Sequence, residues 1–283
     1  MSKPESKPTI IAQISDLHIK APGELAYGKV DTAKALERCV AELNALDPRP
    51  DLVVISGDLV DTPTPGEYEY LWRLLAPLKI PFIGVPGNHD ARDMMRAAFP
   101  DWAYAKSSGP LDQARTVGPL DIILLDSHVS GKPHGTLEAA TLEWLDATLA
   151  SSRERPALLF LHHPPFRTGI THMDVQDLFN ADELAAIVRR HPRVRIVAAG
   201  HVHRATLTTF AGTVATICPA PNHAVDLDIA ELRPPSFRVE PPAFHLHVWF
   251  PDGEEGGHLV THQVPIGDFD GPHPFFGADG KLL

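Results

Sequence analysis

The sequence predicts an α/β fold with a layered core, and three observations carry the prediction. Short apolar runs alternate with segments of helical periodicity, as in successive βαβ units. Five of those runs end in similar polar clusters. Ile10–Ser15 leads into Asp16-Leu17-His18, Leu52–Ser56 into Gly57-Asp58, and Phe82–Val85 into Pro86-Gly87-Asn88-His89-Asp90. Ala157–Leu161 leads into His162-His163, and Val194–Ala199 into Gly200-His201-Val202-His203. In open α/β sheets, ligands collect at the carboxyl ends of strands, so these ends read as one metal site reached from several directions. Finally, 283 residues suffice for one large domain, or a core with a modest extension.

Each element has a local cause. After strand Ile10–Ser15 comes a Gly/Pro-containing loop, Ala21–Val30. Asp31 then caps a helix running to about Leu46, whose Ala33, Leu36, Val40, Leu43 and Leu46 share one face. Asp47-Pro48-Arg49-Pro50 stops it, and strand Leu52–Ser56 follows. A loop over Gly57–Gly66 precedes a helix expected at Glu67–Leu78, then strand Phe82–Val85 and a short helix, Arg92–Phe99. Beyond a Gly/Pro-broken stretch, Asp121–Leu125 reads as a strand ending at Asp126-Ser127-His128, and Leu137–Leu149 as a helix. Strand Ala157–Leu161, helix Asp182–Arg190 and strand Val194–Ala199 complete the alternation. Thr206–Phe210 and Thr213–Cys218 form a hairpin around Ala211-Gly212. The Pro/Gly-rich tail carries strand-like Phe244–Phe250 and Leu259–Val264. The expected division is a core over 1–218 and an extension over 219–283 that caps the site or forms a subunit interface.

Composition narrows the function. Hydrophobic content of 43% and charged content of 22% are ordinary for a globular protein. A net charge of −11 argues against a nucleic-acid polymer as partner, while a small phosphate ester can still approach a locally cationic centre. Cys39 and Cys218 lack ligand spacing and read as small buried hydrophobes. Met1–Pro8 is polar without a signal-peptide core, and no run approaches the length of a membrane span. The expectation is a cytoplasmic protein without membrane contact.

The chemistry lies in residue type. An Asp-x-His just past a strand sets two ligands on one side of an extended backbone, as does His201 with His203. Carboxylate, imidazole and amide oxygen without thiolate suit Mn²⁺, Fe, Co²⁺ or Zn²⁺. Alone, Asp-x-His is an ordinary surface pair and Gly-Asn-His-Asp an ordinary turn. Their occurrence in order, at successive strand ends, makes the metal reading the stronger one.

The pattern Asp-x-His, Gly-Asp, Gly-Asn-His-Asp, a His before another His, and Gly-His-x-His spans residues 10 to 204 and resembles the calcineurin-like metallophosphoesterases. Tyr27-Gly28-Lys29-Val30-Asp31, Gly66-Glu67-Tyr68 and His162-His163-Pro164-Pro165 look closer to one branch, the bacterial class III cyclic nucleotide phosphodiesterases and related glycerophosphodiesterases. The resemblance implies a four-layer α/β/β/α sandwich with two divalent metal ions at one end, Mn²⁺ or Fe before Zn²⁺ or Co²⁺. It implies one ion on Asp16, His18, Asp58 and His203, and the second on Asp58, Asn88, His162 and His201, with Asp58 bridging. It implies that hydroxide held by the metals attacks phosphorus while His89 serves the leaving group.

Further residues carry weaker expectations. Asn88, His89, His203, His172 and His223 are the expected substrate contacts, the last two from loops reaching over the metals. Asp90 orients a neighbour; His163 either supports a ligand or caps its strand; His128 reads as a loop histidine. His245 and His247 alternate like a ligand pair, but with no carboxylate-ended strand beside them they read as the solvent face of an edge strand. Arg189-Arg190 reads as solvated charge favouring a helix dipole.

The function implied is hydrolysis of a small phosphodiester, either a 3′,5′-cyclic nucleotide such as cyclic AMP or a glycerophosphodiester, by a homo-oligomer. A phosphomonoesterase, including a protein phosphatase, is the alternative within enzymes. A non-catalytic scaffold of the same fold is the alternative outside them.

Overall fold

The computed structural model describes residues 7–106, 108–152, 154–251 and 256–283; most of the polar N-terminal stretch falls outside them. Five strands form the first sheet: β1 (Thr9–Ile14), β2 (Leu52–Ile55), β3 (Phe82–Gly84), β12 (Ala243–Phe250) and β13 (His258–Pro265), in the order β13-β12-β1-β2-β3. Six form the second: β4 (Gln113–Val117), β5 (Leu120–Leu125), β6 (Ala157–Leu161), β7 (Val194–Ala199), β8 (Thr206–Phe210) and β9 (Thr213–Ile217), in the order β4-β5-β6-β7-β9-β8. A two-stranded ribbon, β10 (Ala224–Val225) with β11 (Phe237–Arg238), lies in the loop before β12.

Alternation along the strands sorts the core into three layers. Ile14, Val53 and Ile55 pack against α1 (Thr32–Ala45) and α2 (Pro65–Leu75). Ile123, Leu159 and Val197 pack against α4 (Ala139–Ser151) and α6 (Ala181–Arg190). Ile11, Val54, Phe160 and Trp249 fill the space between the sheets. The result is the expected α/β/β/α sandwich. Asp31 caps α1, its carboxylate accepting from Lys34 N at 3.0 Å. Among the described residues, no helix is long and apolar enough to cross a membrane.

Three expectations change. Helix α2 begins at Pro65, because Thr64 is its N-cap and Pro fits the first turn, and it ends at Leu75 rather than Leu78. The Gly/Pro-broken stretch after α3 (Arg92–Ala98) contains β4, an edge strand antiparallel to β5. The larger change concerns the tail. Strand β12 lies between β1 and β13, pairing Gln13 with His245 and Ile11 with His247. Strands β12 and β13 therefore belong to the core's first sheet, not to an extension packed on it. His245 and His247 are correspondingly buried, at 5% and 0% exposure, and not on a solvent face. β13 covers the edge of β12, and the second sheet covers the face that carries both histidines.

Inside the inter-sheet layer that face is wired. His247 Nε2 donates to Gln13 Oε1 at 3.1 Å, and Gln13 Nε2 donates to Ser56 Oγ at 2.9 Å and to the Ala199 carbonyl at 3.1 Å. Buried polar groups of this kind are tolerated because each finds a partner.

Candidate metal centre

The carboxyl ends of β1, β2, β3, β6 and β7 meet at one end of the sandwich and bring all seven expected ligands together. Their backbone is not the extended one anticipated from Asp-x-His. Asp16, His18, Asp58, His201 and His203 all have positive φ, between 47° and 73°. Each left-handed residue costs on the order of 1 kcal/mol or more, though Asp and His tolerate the region better than most. The loops pay this strain because they are tied down. Asp16 N donates to the Gly57 carbonyl and His18 N to the Asp58 carbonyl, both at 3.0 Å. Both oxygens of Asp16 accept from His201 N, at 3.0 and 3.1 Å. Gly57 has no freedom to change, since a Cβ there would strike the His162 ring.

Imidazole orientation is set from behind. His162 Nδ1 donates to the Ser56 carbonyl at 2.9 Å and His203 Nδ1 to the His223 carbonyl at 3.3 Å, while His18 Nδ1 faces Asp61 Oδ1 at 3.3 Å. Such partners fix the tautomer and leave Nε2 free. These Nε2 atoms converge. His18 Nε2 lies 3.2 Å from His203 Nε2, 3.5 Å from Asp58 Oδ2, and His203 Nε2 lies 3.4 Å from Asp16 Oδ1. On the other side, His162 Nε2 lies 3.3 Å from the same Asp58 oxygen and 3.1 Å from Asn88 Oδ1. Donors about 2.1 Å from a shared ion stand roughly 3.0–3.4 Å apart, so both clusters have the spacing of a coordination shell. His201 Nε2 is buried without a partner, as an unused ligand atom would be.

Electrostatics agree with that use. Burial pushes His201 down to about 3 and, with His18 alongside, holds His203 well below the ordinary range, so both rings are neutral donors. Burial would raise the Asp58 carboxyl, but His162 beside it prevails and holds it well below the usual range. His162 differs: Asp58 overcomes the burial that would lower it and raises it to about 9, so this ring would have to release its Nε2 proton to hold a metal.

His89 stands at the rim. Its amide donates to Asp58 Oδ1 at 2.8 Å, and its Nδ1 donates to the Asp61 carbonyl at 2.8 Å, with the Asp61 carboxylate 3.9 Å away. Asn88 and His89 lie between two hollows. One, of about 420 Å³, is walled by Tyr27, His223 and Phe237; the other, of about 750 Å³, by Asp61, Arg92 and His128.

The remaining residues separate. Asp90 accepts from Gly87 N at 2.9 Å, Leu59 N at 3.1 Å and Tyr68 OH at 2.9 Å, so it braces the loops that carry Asp58 and Asn88. His163 is buried between Ser127 Oγ, 2.8 Å away, and the Pro133 carbonyl, 3.2 Å away, although it also sits with His162 and His201 in a possible ligand cluster. His128 is no bland loop residue; it is buried, bonds the Gly87 carbonyl at 3.0 Å and lines the larger hollow. His223 packs on His203 with ring centres 4.5 Å apart and faces the smaller hollow. His172 does not reach it. It lines a separate hollow with Asp226 and Asp228, while its neighbours Met173 and Gln176 face the metal centre. Asp61 was missed, although a carboxylate three residues beyond Asp58 in the same loop was a signal. Phe237 lay in a stretch without any signal.

The sequence profile of the calcineurin-like phosphoesterases matches residues 9–205. The chain belongs to the calcineurin-like phosphoesterase family. Among members of this family, the chain is 39% identical over 275 residues to a protein of Arcobacter nitrofigilis named probable glycerophosphodiester phosphodiesterase GpdQ, covering 97% of this chain and 99% of that one. It is 30% identical to the glycerophosphodiester phosphodiesterase GpdQ of Enterobacter lignolyticus, over 93% of both chains. The 3′,5′-cyclic adenosine monophosphate phosphodiesterase CpdA of Escherichia coli is 33% identical over 69% of both chains. In fold, a dimetal phosphatase of Danio rerio superposes with a TM-score of 0.60 at 14% identity, covering 92% of this chain and 99% of that one. The calcineurin-like phosphoesterase fold and its Asp/His clusters fit a divalent metal centre.

Proposed function

We propose that this protein hydrolyses small phosphodiesters, glycerophosphodiesters before cyclic nucleotides, at a two-metal centre. One observation carries the reading: a single oxygen of Asp58 lies 3.5 Å from His18 Nε2 and 3.3 Å from His162 Nε2, where one carboxylate can serve two neighbouring ions. Asp16, His18, Asp58 and His203 would hold one ion, and Asp58, Asn88, His162 and His201 the other. When bound, two divalent ions would supply Lewis-acid charge for the phosphoryl oxygens and acidify a water. The donor set suits Mn²⁺ or Fe, then Zn²⁺ or Co²⁺.

The chain's own groups do the rest. Asn88 and His89 position the phosphate, and the hollows on either side leave room for a substituent on each of two ester oxygens, favouring a diester over a monoester. The Asp61 carbonyl holds the proton on His89 Nδ1, so Nε2 is the atom that faces outward to serve a departing alkoxide. Glycerophosphodiesters come first because a relative so named is 39% identical over 97% of the chain, against 32% over 92% for a probable cyclic nucleotide phosphodiesterase of Rhodopseudomonas palustris.

The test is a comparison of kcat/KM for glycerophosphocholine, cyclic AMP, cyclic GMP and glycerol 3-phosphate on Mn²⁺-loaded protein. The glycerophosphodiester should lead by about tenfold or more; a faster cyclic AMP or monoester reaction would reverse the reading. Chelation should abolish turnover and Mn²⁺ restore it, whereas a metal-independent rate would remove the metal centre from the reaction.

Two further features belong to this reading. A cytoplasmic location suits the small phosphodiesters named above as substrates. A homo-oligomer is supported by Phe269, Phe275, Phe276, Leu282 and Leu283, all 60% exposed or more near the C-terminus. Light scattering giving a monomer mass of 30.9 kDa would count against it.

A further inference from the structure

Away from the metal centre, the space between the sheets opens at one edge, between β13 and the β8–β9 hairpin. A cavity of about 410 Å³ lies there, lined by Arg195, Ile196, Leu207, Thr216, His245 and Thr261 among others. A sandwich normally fills this layer with interdigitated apolar side chains. Here the layer is apolar as far as Trp249 and Ile196, and polar beyond them.

Arg195 is there because of an irregularity in β7. Ala157 on β6 pairs with Val194, but the next residue, Leu158, pairs with Ile196. Arg195 is thus the extra residue of a bulge, a device that re-aims one side chain out of the alternation. The guanidinium carbon sits 5.8 Å from the centre of the Trp249 ring, a cation–π contact. Among the described residues it makes no hydrogen bond or ion pair, and its Nε is buried without a partner. Behind it His245, 5% exposed, also has a buried Nδ1 without a partner. Burial pushes His245 down to about 4, so the ring is neutral and, among the described residues lining the cavity, Arg195 alone is charged. Among the described residues no carboxylate lines the cavity, in a chain whose net charge is −11.

We propose that this cavity binds a small organic monoanion, a carboxylate with an aliphatic body, whose head pairs with Arg195 and whose body lies against Ile196, Leu207, Val214 and Leu259. A planar guanidinium matches a planar carboxylate with two parallel hydrogen bonds. One guanidinium balances one negative charge, which favours a carboxylate over a phosphate dianion. The size lies within the range of small-molecule sites, and the wall away from the polar groups is apolar.

The experiment is calorimetric titration of metal-loaded protein with octanoate, acetate and 1-octanol. Octanoate should bind one per chain at least about tenfold more tightly than either fragment probe, since acetate lacks the body and octanol the charge. Arg195→Gln should weaken octanoate by about tenfold or more, and Arg195→Lys by less. Metal content and diester turnover should stay unchanged in both, because the cavity shares no residue with the metal clusters. If Arg195→Gln does not fold, Leu207→Glu, at a position 73% exposed, places a carboxylate at the mouth and should weaken octanoate several-fold. No octanoate binding at 10 mM, octanol binding as tightly as octanoate, or affinity unchanged in every folded variant would each overturn the proposal.

Discussion

Asp58 and His89 are neighbours in space with opposite duties, and single substitutions separate them. Asp58→Asn offers one neutral oxygen where a charged carboxylate reaches both clusters. Both ions should be lost, which metal analysis of the purified variant would register; two ions at normal occupancy would end the bridging assignment. His89→Ala should instead keep both ions. It should lose about 10²–10⁴-fold on a diester with a poor alkoxide leaving group, and much less with p-nitrophenolate, which departs without a proton. Equal losses on both substrates would move His89 from the leaving group to phosphate positioning. At this scale the sequence was legible where residue type and order carry a family resemblance: the seven residues it proposes as ligands lie together at one end of the fold. It was not legible where conformation decides. Nothing in Asp16-Leu17-His18 announces two left-handed residues, because that strain is held by hydrogen bonds to Gly57 and Asp58, some forty residues away.

At the scale of elements, the strands feeding the site were readable because each is a short apolar run with an abrupt end. Strand β12 was misread because alternation shows that a strand has two kinds of face, not what covers each. Its His245 and His247 face the second sheet, and that burial has a consequence in pH. The ordinary histidine value is 6.5, and burial lowers His245 to about 4. Below pH 6.5 the unfolded chain therefore takes up a proton that the folded chain refuses. The stability His245 contributes is whole above 6.5 and is lost as pH falls toward 4, at up to about 1.4 kcal/mol per pH unit. Urea unfolding of wild type and His245→Phe between pH 7.5 and 4.5, at matched metal content, should show the steeper decline in wild type. Parallel curves would mean that His245 is protonated in the fold.

For the whole molecule, the sequence conveyed the layered α/β class but not the closure of the first sheet by the tail, since strand pairing across more than two hundred residues leaves no local mark. The expected boundary at 218 fails for that reason. Ending the chain at Cys218 would strip β1 of the partner that pairs with Thr9 to Gln13, leaving an apolar edge open to other chains. Such a truncation should be insoluble or aggregated by light scattering; a monodisperse, folded fragment would show that β12 is dispensable.

The position of β12 also sets an order of events during synthesis. The second sheet has all its strands once Ile217 has left the ribosome, but the first is complete only at Pro265, and β1 must wait for Phe250 for its edge partner. Until then β1, among the earliest segments made, carries Asp16 and His18 on a sheet whose edge is unfilled. A nascent chain of this protein thus passes through a stage with one half complete and the other exposed, the situation in which domains aggregate or recruit chaperones. The seven residues proposed as ligands, the last of them His203, are all made before that stage ends.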